Sequence, residues 1–199
     1  TNLRDNTKVR VFSEATPYLE TEEEGKMRKL TNRDNDSPSR LLARYIKTAT
    51  DQYVDQLEVN LVYRNDRFLR GGDHTPFSQN GFTAIRFCEM DENYDHQHQD
   101  LRTENAIKYG DLPEFMDFEY LRKIAASNLA TLANLAWAPK APTNVGVEVK
   151  DLTNFSTLVW KAAENKKVYG YQILVRETSA TNWEKTVFVT DTKVTIPYS

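Results

Sequence analysis

The chain changes its hydrophobic period at one place, and that change limits the folds open to it. Before Ala138-Pro139-Lys140-Ala141-Pro142-Thr143, segments with helical spacing alternate with short extended ones; after it, apolar residues recur at every second position. A period near 3.6 buries one face of a helix, and a period of two buries one face of a strand. The two prolines of the junction make a stiff linker, so 138–143 is expected to separate a domain ending near 137 from a second one at 144–199.

In the first part, Ser37-Pro38 marks a helix start, because serine caps the free amides and proline needs none at the first helical position. Leu41, Leu42, Tyr45, Ile46, Ala49 and Tyr53 follow at helical spacing and give that helix an apolar face. A second, longer helix is predicted over 117–137, with Phe118, Leu121, Ile124, Ala125, Leu129, Leu132, Ala133 and Ala136 as its buried face. Leu57 to Tyr63 alternates like a half-buried strand. Phe82 to Cys88 is more continuously apolar and suits a sheet covered on both sides. Gly71 to Phe77, between them, has the composition of a loop, and Thr1 to Thr7 reads as the middle of one. The acidic run Glu20 to Glu24 is expected to be a solvated loop, neutralised by Lys26, Arg28 and Lys29. Alternating helices and strands indicate an α/β layered domain, with 57–63 and 82–88 neighbours or near-neighbours in one sheet and the two helices covering it.

Beyond the linker the alternation runs through Val145, Val147 and Val149, through Thr157 to Lys161, through Tyr169 to Val175, through Val187 and Val189, and through Val194 and Ile196. Short strands at near-regular spacing indicate an all-β sandwich. An immunoglobulin-like sandwich takes about seven strands and roughly 100 residues, so this one is expected to be partial. The chain is therefore expected to be a fragment at both ends, with another chain possible as the element that completes the fold.

Composition excludes some functions. Apolar residues at 39% and aromatic residues at 11% suffice for a packed core, and a net charge of −3 from 26 basic and 29 acidic residues gives no general attraction to nucleic acid. No apolar run approaches the roughly 20 residues of a membrane span. The single cysteine, Cys88, cannot form an intramolecular disulfide and is expected to be a buried, inert thiol.

The three histidines, His74, His96 and His98, stand among Asp73, Glu89, Asp91, Glu92, Asp95 and Asp100. Imidazole and carboxylate are the ligands of catalytic zinc, which usually takes three from protein and leaves one position to water. His96 and His98 would reach one ion if Gln97 lay in an extended segment. The spacing alone fits a metal site and a hydrogen-bonded surface loop equally.

Gly72-Asp73-His74-Thr75-Pro76-Phe77, then Gly81, the strand 82–88, and His96 with Asp100 four residues on, resemble the end of the co-catalytic zinc aminopeptidases (clan MH, peptidase family 28). The resemblance covers Thr1 to about Trp137 and is specific over 71–100. It implies an α/β/α layered zinc-peptidase domain binding two zinc ions, peptide substrates, and a secreted or periplasmic location. It implies that His96 is a metal ligand, that Asp100 shapes the ligand loop, that Asp73 contacts substrate or orients the site, and that His74 packs the loop. His98 stands where many members have proline and is not implied as a ligand. Asp95 replaces the tyrosine common before the ligand histidine, and Thr83 replaces a common proline. The family's general base and remaining ligands fall before this region, so no catalytic residue is identifiable within the chain and it is expected to be inactive alone. Glutaminyl cyclases share the Asp-His-x-Pro-Phe loop and the late His-x-x-x-Asp, although the tryptophan usual before their histidine is absent here. Pro142, Trp160, Tyr169, Tyr171 and Trp183 separately resemble a fibronectin type III domain, which leaves a non-catalytic binding module as a further alternative.

Overall fold

The computed structural model describes residues 5–64, 71–149, 154–163 and 168–197. The chain divides into two compact units, Thr1–Asn134 and Leu135–Ser199. The first is α/β and the second all-β.

The first unit opens with strand β1 (Lys8–Phe12), then helix α1 (Glu22–Leu30), helix α2 (Pro38–Tyr53) and strand β2 (Glu58–Val62). A short helix α3 (His74–Gln79), strand β3 (Arg86–Glu89), a hairpin of β4 (Arg102–Glu104) and β5 (Ile107–Tyr109), and the long helix α4 (Phe118–Trp137) follow. The sheet order is β2-β1-β3. β1 runs parallel to β2 with Val9 opposite Val59, and antiparallel to β3 with Val11 opposite Phe87. The two strands expected in one sheet are therefore near-neighbours, with β1 between them.

β1 was not read from the sequence, although Val9 and Val11 alternate with Lys8 and Arg10. Those valines are the centre of the core, packed with Ala43 and Ile46 of α2, Val54, Leu57 and Val59, and flanked by Tyr120 and Ile124 of α4. α2 starts where Ser37 accepts the Arg40 amide with Pro38 at the first turn. Its buried face holds Arg40, Ala43, Arg44, Ile46, Ala49 and Thr50, whereas Leu41, Tyr45 and Tyr53 remain exposed.

Several expectations are corrected. The acidic run is not a loop: Thr21 and Glu24 form a reciprocal capping box, three glutamates occupy the first turn of α1, and Arg28 and Lys29 occupy its last. Each feature complements the helix dipole or its unpaired amides. Gly71 to Phe77 is a loop only as far as Asp73, after which α3 begins. The strand near 82–88 shrinks to β3, a half-buried edge, and Phe82 lies exposed outside it. The largest correction concerns α4, which buries Lys123, Ser127 and Thr131 and leaves Phe118, Leu121, Leu129 and Leu132 exposed. Four hydrogen bonds from three of its side chains hold it this way round. Lys123 Nζ donates to the carbonyls of Asn6 (3.1 Å) and Gln56 (3.2 Å), the hydroxyls of Ser127 and Thr50 are 2.6 Å apart, and Tyr120 Oη donates to Lys8 O (2.7 Å).

The second unit has β6 (Thr143–Glu148), β7 (Phe155–Lys161), β8 (Tyr171–Val175), β9 (Lys185–Val189) and β10 (Lys193–Pro197), at all five positions where period two was read. They form an antiparallel sheet of order β10-β7-β6 and a β8-β9 pair. Trp160 and Ile196 are its buried apolar side chains among the described residues, and Trp160 meets Tyr171 edge-on with ring centres 5.0 Å apart. This contact joins the two sheets into a partial sandwich.

Candidate active site

The segment that follows β3 carries His96, and Arg10 fixes where it goes. Arg10 lies on the face of β1 opposite the core valines, where its guanidinium reaches the end of β3. Its Nε donates to Glu89 O (3.0 Å) and its Nη2 to a carboxylate oxygen of Glu92 (2.7 Å) and to Cys88 Sγ (3.4 Å). The Glu92 side chain is almost wholly buried. The Cys88 thiol is pushed up by burial, then by its hydrogen bond to Glu92, so it stays protonated and unreactive.

From Glu92 the chain turns sharply. Asn93 Oδ1 accepts the Asp95 amide (3.0 Å) and Asn93 O accepts the His96 amide (3.2 Å). Asp95 O in turn accepts the Gly110 amide (3.0 Å), which ties the turn to the end of the β4–β5 hairpin. Gly110 has φ +114, and an added Cβ would collide with Leu101, so only glycine fits this junction. His96 does not lie in an extended segment with His98: the turn separates them, and His98 is exposed in the left-handed region at φ 56. The His96 ring stacks on Phe115, with centroids 3.5 Å apart and planes within 4°. Phe115 ends a 3-10 turn, Pro113–Phe115, just before α4.

Asp117 closes this arrangement at the start of α4. One of its carboxylate oxygens accepts the Tyr120 amide (2.9 Å) and the other accepts Asn6 Nδ2 (2.9 Å), and these bonds, the amide first, hold its carboxyl below the usual range. Tyr120 is pushed up to about 12, mainly by burial and then by the nearby Glu89, so it acts here as a hydrogen-bond donor.

Together these elements enclose an open cleft of about 910 Å³. His96 stands in its wall with Asp5, Glu89, Asp91, Glu92, Asp95, Asp111 and Asp117, and no lysine or arginine lines it among the described residues. Phe115, Met116, Tyr120 and Leu121 supply apolar surface. Such a cleft attracts cations and protonated amines and repels anions.

The other sequence-derived residues lie outside the lining. Asp73 is exposed at the start of α3, with no capping bond from its side chain. His74 is buried, its Nε2 3.8 Å from a carboxylate oxygen of Glu14. Burial pushes the Glu14 carboxyl up, and His74 draws it back down. Asp100 is exposed beyond the turn, its carbonyl accepting from Arg102 (3.3 Å). Among the described residues, no group of three or more histidine, cysteine, aspartate or glutamate side chains is placed to hold a metal ion. One imidazole among unconverged carboxylates does not make a zinc site by itself. Arg10, Phe115 and Tyr120 were missed by sequence reasoning, which took Glu92 only as one of the carboxylates around the histidines and not as the partner of Arg10. Only Arg10 left a signal, as a polar residue between two core valines.

No protein-family model matches the chain, and no solved structure matches it. Curated proteins do. A probable zinc metalloprotease of Leptosphaeria maculans is 43% identical over 197 residues, covering 98% of this chain and 46% of that protein. Another from Pyrenophora tritici-repentis is 42% identical over 182 residues, covering 90% of this chain and 38% of that protein. A third, from Pyricularia oryzae, is 40% identical over 195 residues, covering 94% and 39%. The chain is similar to probable zinc metalloproteases. It spans less than half the length of each of these relatives, and the match runs through both units.

Proposed function

We propose that this chain forms part of a secreted zinc-dependent aminopeptidase, in which residues 1–137 supply one wall of the active site. The observation that carries this reading is His96 in the wall of an acidic cleft, at the position where the zinc aminopeptidase resemblance expects a metal ligand. The zinc metalloprotease names of the relatives support a zinc-dependent protease. The aminopeptidase assignment rests on the motif over 71–100 and on the cleft's charge, because an exopeptidase of this kind must hold the protonated amino terminus of its substrate. The lining carboxylates provide that attraction.

In this reading His96 binds one of two zinc ions through its imidazole, and the stacked Phe115 fixes the plane of the ring. The described residues do not complete either metal's ligand set, so the remaining ligands and the general base come from elsewhere in a longer polypeptide. Arg10 and Glu92 position the turn that carries His96. Asp100 and Asp73 act outside the cleft lining, on the ligand turn and on the start of α3, and His74 with Glu14 anchors α3 to the end of β1. The second unit serves as a fibronectin type III-like module.

The test uses a polypeptide that contains this chain in the context of its relatives' full length. A peptide with a free amino terminus should lose its first residue, and the same peptide acetylated at that terminus should resist. Equal cleavage of both, or cleavage at internal bonds, would replace the aminopeptidase reading by an endopeptidase one.

A further inference from the structure

Helix α4 is amphipathic in the wrong sense for a helix that has found all its partners. Its inward side carries Lys123, Ser127 and Thr131, all held by hydrogen bonds. Its outward side carries Phe118 (62% exposed), Leu121 (48%), Leu129 (69%) and Leu132 (65%), with Ala125 exposed between them. Steps of three and four residues place these five on one stripe, about 21 Å long at 1.5 Å per residue. A helix normally turns such a stripe toward a core, and a contiguous exposed one marks an interaction surface. The inward polar contacts rule out the simple remedy of rotating the helix, since that would carry Lys123 away from the carbonyls of Asn6 and Gln56 and strip the buried Thr50 hydroxyl of its partner. Leu121 also lines the cleft, so the stripe runs outward from the cleft wall.

What covers the stripe is suggested by length. The Leptosphaeria maculans relative matches over 98% of this chain, yet the chain accounts for 46% of that relative; for the Pyrenophora tritici-repentis relative the share is 38%. These proteins therefore contain more polypeptide outside the matched part than within it. We propose that the stripe from Phe118 to Leu132 is a docking face for a segment of the same polypeptide lying outside residues 1–199, which packs an apolar surface along α4. The proposal does not depend on the peptidase reading.

The test places Leu129→Cys in a Cys88→Ser background, both in this chain and in a chimera where this chain replaces its matching part of the full-length Leptosphaeria maculans relative. Maleimide should label the introduced thiol rapidly in the chain and at least about tenfold more slowly in the chimera. Equal rates in the two overturn the proposal. So does protection already present in the chain: if it depends on concentration the face is covered by a second copy, and if not, by the chain's own residues. A second measurement covers a chimera that does not fold. The unmatched part of the relative is co-expressed as a separate tagged polypeptide and used to capture this chain. The wild-type chain should be retained. Leu129→Asp with Leu132→Asp should abolish retention while leaving the chain's own melting midpoint within about 2 °C. Retention of the double variant, no retention of the wild type, or a collapse of the variant's own stability would each overturn the proposal. None of these readouts requires zinc or turnover.

Discussion

Replacing Arg10 by methionine should release the turn that carries His96, and its cost can be worked from the structure. The Glu92 side chain is 2% exposed and Arg10 20% exposed, at a separation of 2.7 Å. Removing one partner of a buried ion pair costs about 3–5 kcal/mol, because the other charge stays out of water. The low end applies here, since a fifth of the arginine side chain is already solvated and the Cys88 thiol still donates to Glu92. Loss of the Arg10 bonds to Glu89 O adds about 1 kcal/mol. Arg10→Met should therefore lower the stability of the first unit by about 4 kcal/mol, or roughly 14 °C in melting midpoint. Much of that loss is the stranded carboxylate, so Arg10→Met combined with Glu92→Met should be less destabilised than the single variant. A double-mutant cycle by urea denaturation reads the coupling, which should exceed about 1.5 kcal/mol. Additivity within about 0.5 kcal/mol would refute the clamp. Arg102→Met, at an exposed pair with Glu104, is the control and should cost under about 1 kcal/mol.

Two further outcomes follow from the same structure. Thr50→Val leaves the fully buried Ser127 hydroxyl without its 2.6 Å partner and should cost about 1–3 kcal/mol by denaturant titration; an unchanged midpoint would show that α2 and α4 do not meet there. Glu14 has a raised carboxyl, so the stability it contributes is full below its ordinary value of 4.5 and is lost as pH rises through its higher folded value. Glu14→Gln should remove that loss and flatten the stability profile above about pH 4.5, whereas a profile identical to wild type would place Glu14 in water.

The period change at 138–143 and the five strands beyond it were legible because a strand with one covered face must alternate, and these strands do. α2 was legible from Ser37-Pro38, whose capping chemistry is local. α4 was legible in extent but misread in orientation. Its leucines outweigh its serine and threonine on any hydropathy pattern, and only the long-range bonds of Lys123 to Asn6 and Gln56 show which side faces in. β1 was missed because five residues, two of them charged on the outer face, give a short and weak alternation. At the site, His96 was legible from motif spacing, but its neighbours were not. Phe115 stacks on it from 19 positions away and Arg10 acts across 82 to Glu92, and nothing in local sequence encodes such meetings.

The central claim is that His96, and not His98, faces the metal from the wall of this cleft. Its most direct test is the zinc content of a polypeptide extended to its relatives' full length, measured by atomic emission alongside aminopeptidase rate, for wild type, His96→Ala and His98→Ala. His96→Ala should lose one zinc of two and most of the activity, while His98→Ala, at an exposed left-handed position outside the lining, should keep both. Full zinc and full rate in His96→Ala, or their loss in His98→Ala, would contradict the account.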